Sequence, residues 1–301
     1  MDAIRTRLVP ISAAAEASSA LSRLQQKQAS EEKTEQVVFG AARALGGTVS
    51  DACRFMQTYG LYDIHRSADK TDASFQTYIY SYESPFVFVN ASGTTEDYTT
   101  FPHEFGHFTD SYYNYGANED LETAETYSQA MEYLALCCTD ALSERERESL
   151  LKLKLTDTLD TFVTQAAFSS FEQQVYALPE DRLTLDAVNA VYLQVCRDFG
   201  FYETGLDFYY SQSWIDILHF FEAPDYVISY CVSAETSLQL YRLEAEQDGE
   251  GQAAYFRLLD RDLNAGVQKV MEDAGLANPF REDAMDQTAA LFRRQLGLRA
   301  G

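Results

Sequence analysis

The sequence predicts a mainly α-helical protein with a small antiparallel β-sheet. Three observations predict it. Apolar residues recur at helical spacing over most of the 301-residue chain, as in Val37, Val38, Ala42 and Leu45, or Leu151, Leu155 and Leu159. Residues 60–91 are instead rich in β-branched and aromatic side chains bounded by turn formers. Beyond them lies Phe101-Pro102-His103-Glu104-Phe105-Gly106-His107-Phe108, which holds a His-Glu-x-x-His pattern.

Residues 12–58 read as helices, with Leu21 and Leu24 at helical spacing, a break at Gly46-Gly47 and a renewed pattern from Val49 to Tyr59. The charged patch Glu31-Glu32-Lys33 reads as a turn or a solvated face. A polar loop from Ser67 to Asp72 leads to two expected strands, Ser74–Tyr80 and Pro85–Asn90. They pair antiparallel through Ser81 to Ser84. Such a pair beside a helix either roofs it or accepts an extended peptide at its edge. Ser92-Gly93-Thr94-Thr95 marks the next helix start, with Thr94 and Asp97 spaced as a capping box. Pro102 inside this helix predicts a kink or a fresh start, and Phe101, Phe105 and Phe108 face a core.

A polar connection, Asp110 to Asp120, precedes a helix over Leu121–Cys138. Residues 141–178 are helical up to Pro179, and Leu183–Phe199 forms another helix closed by Gly200. An aromatic loop, Phe201 to Tyr210, leads to Trp214-Ile215-Asp216-Ile217-Leu218-His219 and then Pro224. A further helix is expected to carry Tyr226 and Tyr230, four apart on one face, and to run to Tyr241. The tail from Gln252 to Leu298 reads as helices broken at Gly275 and near Pro279.

The chemistry sits in the His-Glu-x-x-His stretch. Four helical residues advance about 6 Å and turn roughly 400°, so His103 and His107 share a face and can meet one zinc ion. Glu104 stands beside that face, placed to act as a general base toward water at the metal. A third ligand has to come from elsewhere. The next helix offers Glu122, Glu125 and Glu132, of which Glu125 and Glu132 are seven apart on one stripe. The arrangement that takes a third histidine six residues after the second fails, because Tyr113 stands there and Asp110 stands where it needs glycine. In so acidic a chain a solvated acidic face is the competing explanation of these glutamates. Two phenols and a histidine near a zinc, as in Tyr226, Tyr230 and His219, can donate to an oxyanion; the alternative is ordinary packing.

Composition narrows the class. With 23 Lys+Arg against 47 Asp+Glu, the formal charge is −24, which argues against nucleic acid and anionic membranes as partners. No apolar run reaches transmembrane length, and the short run Leu8-Val9-Pro10-Ile11 is soon followed by Glu16, unlike a signal peptide. Five cysteines without framework spacing read as free thiols of a reducing compartment, so a cytoplasmic location is expected.

Several stretches together resemble the oligoendopeptidase F and thimet oligopeptidase family of zinc metallopeptidases. They are Pro85-Phe86-Val87-Phe88-Val89-Asn90, Ser92-Gly93-Thr94, His103 to His107, and Ala124 to Glu132 with Glu125, Ser128 and Glu132 in register. Trp214 to His219 and Pro224 to Tyr230 complete the set. The resemblance implies a zincin-like catalytic domain over residues 60–301, with 1–59 a helical segment packed on it. It implies one zinc held by His103, His107 and Glu125, with Glu104 as general base, Glu132 behind the ligands, and His219, Tyr226 and Tyr230 binding substrate and stabilising the tetrahedral intermediate. It also marks departures. The connection from His107 to Glu125 is short, Asp110 replaces a common histidine, and family members are roughly twice this length. The expectation is an endopeptidase acting on short peptides, either a short member of the family or a catalytic half that works with an N-terminal half or partner chain. The competing expectations are a non-catalytic zinc-containing peptide-binding scaffold or an incomplete fragment, and a different zinc peptidase such as an aminopeptidase.

Overall fold

A computed structural model describes residues 1–21, 27–71, 73–116, 121–247, 249–281 and 283–298, with Leu121 described by its backbone alone. The expected helical Leu24, the loop end at Asp72 and residues 117–120 of the polar connection lie outside the described residues.

The chain opens with α1 (Asp2–Arg7), α2 (Val9–Glu16), α3 (Glu31–Leu45) and α4 (Gly47–Tyr59). Three strands follow, β1 (Tyr62–Asp63), β2 (Phe75–Ile79) and β3 (Ser84–Phe88). The remainder is helical: α5 (Asp97–Tyr113), α6 (Leu121–Cys138), α7 (Glu144–Tyr176), α8 (Leu185–Asp198), α9 (Asp207–Gln212), α10 (His219–Glu222), α11 (Ser229–Glu246), α12 (Glu250–Leu259), α13 (Val267–Asp273) and α14 (Ala284–Leu296). Contacts divide the chain into two compact units. One holds Met1–Ser22, Leu155–Val232 and Glu282–Gly301, the other Arg23–Lys154 and Ser233–Arg281. Residues 31–59 thus share a unit with the His-Glu-x-x-His helix.

In this second unit the helix starts follow from side chains. Ser30 caps α3 by accepting from the Lys33 amide at 3.2 Å, and Glu31 and Glu32 sit in the first turn, where acids oppose the positive helix end. The charged patch is therefore a helix start, not a turn. Gly46, at φ 71°, then lets the chain leave α3 and enter α4 at once. One apolar core joins Val38, Val49 and Met56 of α3 and α4 to Phe101, Phe105 and Phe108 of α5. It continues through Tyr127 and Met131 of α6 and Leu258 of α12. Each such buried side chain contributes on the order of 1.5–3 kcal/mol.

The sheet has the order β1-β3-β2. β2 and β3 form the expected antiparallel pair, from Phe75 opposite Phe88 to Ile79 opposite Ser84, joined by a 3₁₀ turn at Tyr80–Tyr82. β1 adds a parallel edge, with Tyr62 beside Val87, so the sheet is mixed. Two amides of β3 and its extension make that edge: Val87 N donates to Leu61 O at 3.0 Å and Val89 N to Asp63 O at 2.9 Å. The sheet packs against α5 through β2 and β3, and β2 is an edge strand next to that helix.

The first unit is built from α1, α2, most of α7, α8–α10 and α14. Phe162 of α7 meets Phe292 of α14 edge-on at 6.2 Å, and Phe171 packs on Tyr192 and Trp214 at 4.9 and 5.9 Å. Helix begins at Asp2, well before the expected residue 12, and the aromatic loop contains α9. Tyr226 lies outside α11, which starts at Ser229. Asp225 takes a left-handed conformation, φ 60°, directly after Pro224, and this interrupts the helix expected there. Among the described residues no helix is long and apolar enough to cross a membrane.

Candidate metal centre

α5 is set in place by its first turn. Asp97 is buried, and its carboxylate accepts from the Ser92 and Gly93 amides at 2.8 and 2.9 Å and from the Ser92 hydroxyl at 3.0 Å. The expected capping box is thus shifted: the acid reaches back to Ser92 and Gly93, while the Thr94 hydroxyl accepts from the Glu96 amide at 3.3 Å. Pro102 sits inside one continuous helix, five residues after its start. It removes a single bond, the one its missing N–H would give to Tyr98 O.

Gly106 explains how α5 meets α6. A Cβ there would lie 2.7 Å from Ser128 Cα, 2.8 Å from Tyr127 O and 3.1 Å from Met131 Cβ. The two helices touch backbone to backbone at this point, and that contact brings Glu125 up to the histidines. Glu125 Oε2 is 3.6 Å from His103 Nε2, and Glu125 Oε1 is 3.9 Å from His107 Nε2. One ligand atom from each of the three residues lies within 4.8 Å of the others. Ligands at about 2.0–2.1 Å from a tetrahedral zinc stand roughly 3.3–3.4 Å apart, so this set needs only a small contraction to hold one. Two histidines and a glutamate are also the donor set of catalytic zinc sites that keep a fourth position open. Of the acids that the sequence left as alternatives, Glu125 and not Glu122 stands at the histidines. The Ser128 hydroxyl steadies it, 3.3 Å from Glu125 Oε2.

Behind the histidines lies a chain of charge. His103 Nδ1 is 2.9 Å from Glu132 Oε1, which leaves Nε2 facing Glu125. The Lys154 ammonium lies 2.6 Å from the other Glu132 oxygen. Burial pulls the Glu132 carboxyl up, but Lys154 and His103 outweigh it and hold the group below the usual carboxylate range. Burial lowers His103, yet the hydrogen bond and charge of Glu132, with Glu125 and Glu104, raise it to about 9. His107 is pushed down to about 3 by burial and by His103. Glu104 is raised to about 7, chiefly by burial, against the charge of His103 and a hydrogen bond from the Gln76 backbone N–H on β2.

The structure therefore gathers His103, Glu104, His107, Glu125 and Glu132 in the second unit. Ser128 joins them as the resembling stretch implies, and Lys154, Gly106 and Gln76 join them without having been singled out from their residue types. His219, Tyr226 and Tyr230 gather in the first unit. The His219 ring stacks on Tyr226 at 5.3 Å and meets Tyr230 edge-on at 6.2 Å, and the Tyr230 hydroxyl donates to that of Tyr226 at 3.3 Å. Glu172 supports the turn before them by accepting from the Asp225 amide at 3.0 Å.

The model of the family described as peptidase family M3 matches residues 47–290. The chain belongs to peptidase family M3. Solved structures share its fold, among them the following three. A 3.1 Å X-ray structure of a protein described as an oligoendopeptidase F matches with a TM-score of 0.83 at 19% identity, over 98% of this chain and 56% of that one. PZ peptidase A with an inhibitor matches with the same TM-score and identity, over 98% and 57% of the two chains. A protein described as an oligoendopeptidase F from Bacillus anthracis strain Ames matches with a TM-score of 0.74 at 18% identity, over 91% and 47%. The chain spans about half the length of these structures. No curated protein sequence matches it.

Proposed function

We propose that this chain is the catalytic half of a zinc-dependent endopeptidase that hydrolyses short peptides. The observation that carries the reading is the convergence of His103, His107 and Glu125 within 4.8 Å, with Glu104 next to His103 on the same helix. Held by these three, a zinc ion would supply a Lewis acid for the scissile carbonyl and a lowered pKa for water. Glu104 accepts the proton of the attacking water and returns it to the leaving amine. Glu132 orients His103 through Nδ1, so that Nε2 is presented as ligand. β2 offers its edge to an extended peptide. Tyr230, Tyr226 and His219 act as donors to the tetrahedral intermediate, a role supported by their hydrogen-bonded stack and by the family pattern.

Coverage of 56–57% of the related chains supports a further polypeptide, in cis or as a partner, that completes the wall around the peptide. The net charge of −24 supports partners other than nucleic acid and anionic membrane. All five cysteines are free, which supports a cytoplasmic setting.

The test is digestion of a mixed short-peptide library, read by mass spectrometry, with zinc-loaded and chelated protein in parallel. Internal cuts that vanish on chelation and return with zinc are expected. One bound zinc per chain without any cut would instead favour the non-catalytic scaffold, and trimming from the amino end alone would favour an aminopeptidase.

A further inference from the structure

We propose that Arg261 is a positioning residue for the metal centre, acting through Asp110 on α5 and Tyr127 on α6. The proposal rests on the metal reading above. Arg261 grips Asp110 with both arms of its guanidinium, Nη1 to Oδ1 at 2.6 Å and Nη2 to Oδ2 at 3.3 Å. Both side chains are almost fully buried, 3% and 5% exposed. The guanidinium carbon lies over the Tyr127 ring, 4.6 Å from its centre. The Tyr127 hydroxyl donates to Leu258 O at 2.8 Å, while Asn114 Nδ2 bridges Asp110 Oδ1 at 2.7 Å and Leu259 O at 3.3 Å. The last turn of α12 and the residues after it thus hold α5 three residues past His107 and α6 two residues past Glu125.

Stability alone does not explain this arrangement. Replacing a buried ion pair by apolar groups of similar volume is often neutral or stabilising, so what the pair adds is direction. A guanidinium fork accepts a carboxylate in one orientation and stacks flat on a ring, which a lysine cannot do. His103, His107 and Asp110 are spaced i, i+4 and i+7, so Asp110 lies on the ligand stripe of α5. The fork holds the Asp110 carboxylate against the chain after α12, and the ligand atoms that converge are those of His103, His107 and Glu125.

The experiment compares Arg261→Lys, Arg261→Met and Asp110→Asn with the intact chain. The readouts are zinc affinity, by competition with a chromophoric chelator, and the visible spectrum of the cobalt-substituted protein. Circular dichroism reports the folded fraction, and Val49→Ala, in the α4 core, serves as a stability control. The expected result is zinc binding weakened about tenfold or more in folded Arg261→Lys, with a changed cobalt spectrum in Arg261→Met, where Asp110 is released. Val49→Ala should lower the melting temperature and leave affinity and spectrum as they were. Folded Arg261→Lys and Asp110→Asn with the parent's zinc affinity and cobalt spectrum would overturn the proposal. A parent chain that binds no zinc would overturn the metal reading itself, and this inference with it. If Arg261→Met does not fold, the other two variants decide.

Discussion

Glu132 meets the Nδ1 side of His103 at 2.9 Å and is itself held by Lys154 at 2.6 Å. A metal-ligating histidine whose second nitrogen faces a carboxylate is fixed in tautomer and ring direction, and loss of that partner typically costs 10–100-fold in metal affinity. Lys154→Met leaves Glu132 as a buried, partly compensated charge, so it should weaken zinc binding in that range and also lower stability. Glu132→Gln should weaken binding with a smaller stability loss, because the amide still fits the site. Chelator competition on both variants checks this; equal affinities across parent and variants would show that the charge chain does not orient His103.

Glu104 and Glu125 are predicted to separate chemistry from metal. Glu104→Gln removes the base but no ligand, so bound zinc should stay at one per chain while turnover falls by about 10²–10⁴-fold. Glu125→Ala should lose zinc, and Glu122→Ala should keep it. Metal analysis beside a peptide-cleavage assay reads both, and near-parental turnover in Glu104→Gln would sink the mechanism.

Gly106 is predicted to tolerate no side chain. Alanine there would put its methyl carbon 2.7 Å from Ser128 Cα and 2.8 Å from Tyr127 O, backbone atoms that yield only if α6 moves. Overpacking of this kind costs about 1–3 kcal/mol. The displaced helix carries Glu125, so Gly106→Ala should lower both the urea midpoint and zinc affinity. A drop in stability with unchanged affinity would mean that the helices part without disturbing the ligands.

Stability of the metal-free protein should depend on pH in a defined window. His103 is raised to about 9, so its contribution is fully present below its unfolded value near 6.5 and is lost as pH rises through 9. Glu104, raised to about 7, likewise contributes less as pH rises from 4.5 through 7. His107, pushed down to about 3, has the opposite slope, but only below 6.5. Between pH 7 and 9 the slope is that of His103, and the melting temperature of chelated protein should fall by several degrees. Zinc-loaded protein should lack this fall, because the ligands are held deprotonated. A flat profile in Glu132→Gln would assign the slope to the His103–Glu132 pair.

Much of the site was legible because its signals are local. His103, Glu104 and His107 are fixed by one turn of helix, and α6 spans Leu121–Cys138 as its apolar pattern predicts. β2 and β3 were legible from their β-branched and aromatic runs. What escaped depends on a partner. β1 is two residues long and exists only because Leu61 and Asp63 offer carbonyls to β3. Gly106 looks like any helical glycine until Ser128 is set against it. Lys154 lies 22 residues from Glu132 on another helix, and the fold alone brings them together. Tyr226 was placed in a helix because four-residue spacing is ambiguous, and a left-handed Asp225 decided otherwise.

The Gln76 backbone N–H, which draws the Glu104 carboxyl down against its burial, has a consequence for alignment. On a strand, alternate amides point to the same side, so Tyr78 turns its amide toward the edge that Gln76 uses. A polypeptide that lengthens the sheet along β2 would meet the Gln76 rung turned to Glu104, with the Tyr78 rung about 7 Å further along. The Gln76 rung acts as a fixed origin from which the incoming chain is counted, and it lies beside the carboxylate proposed to move the proton.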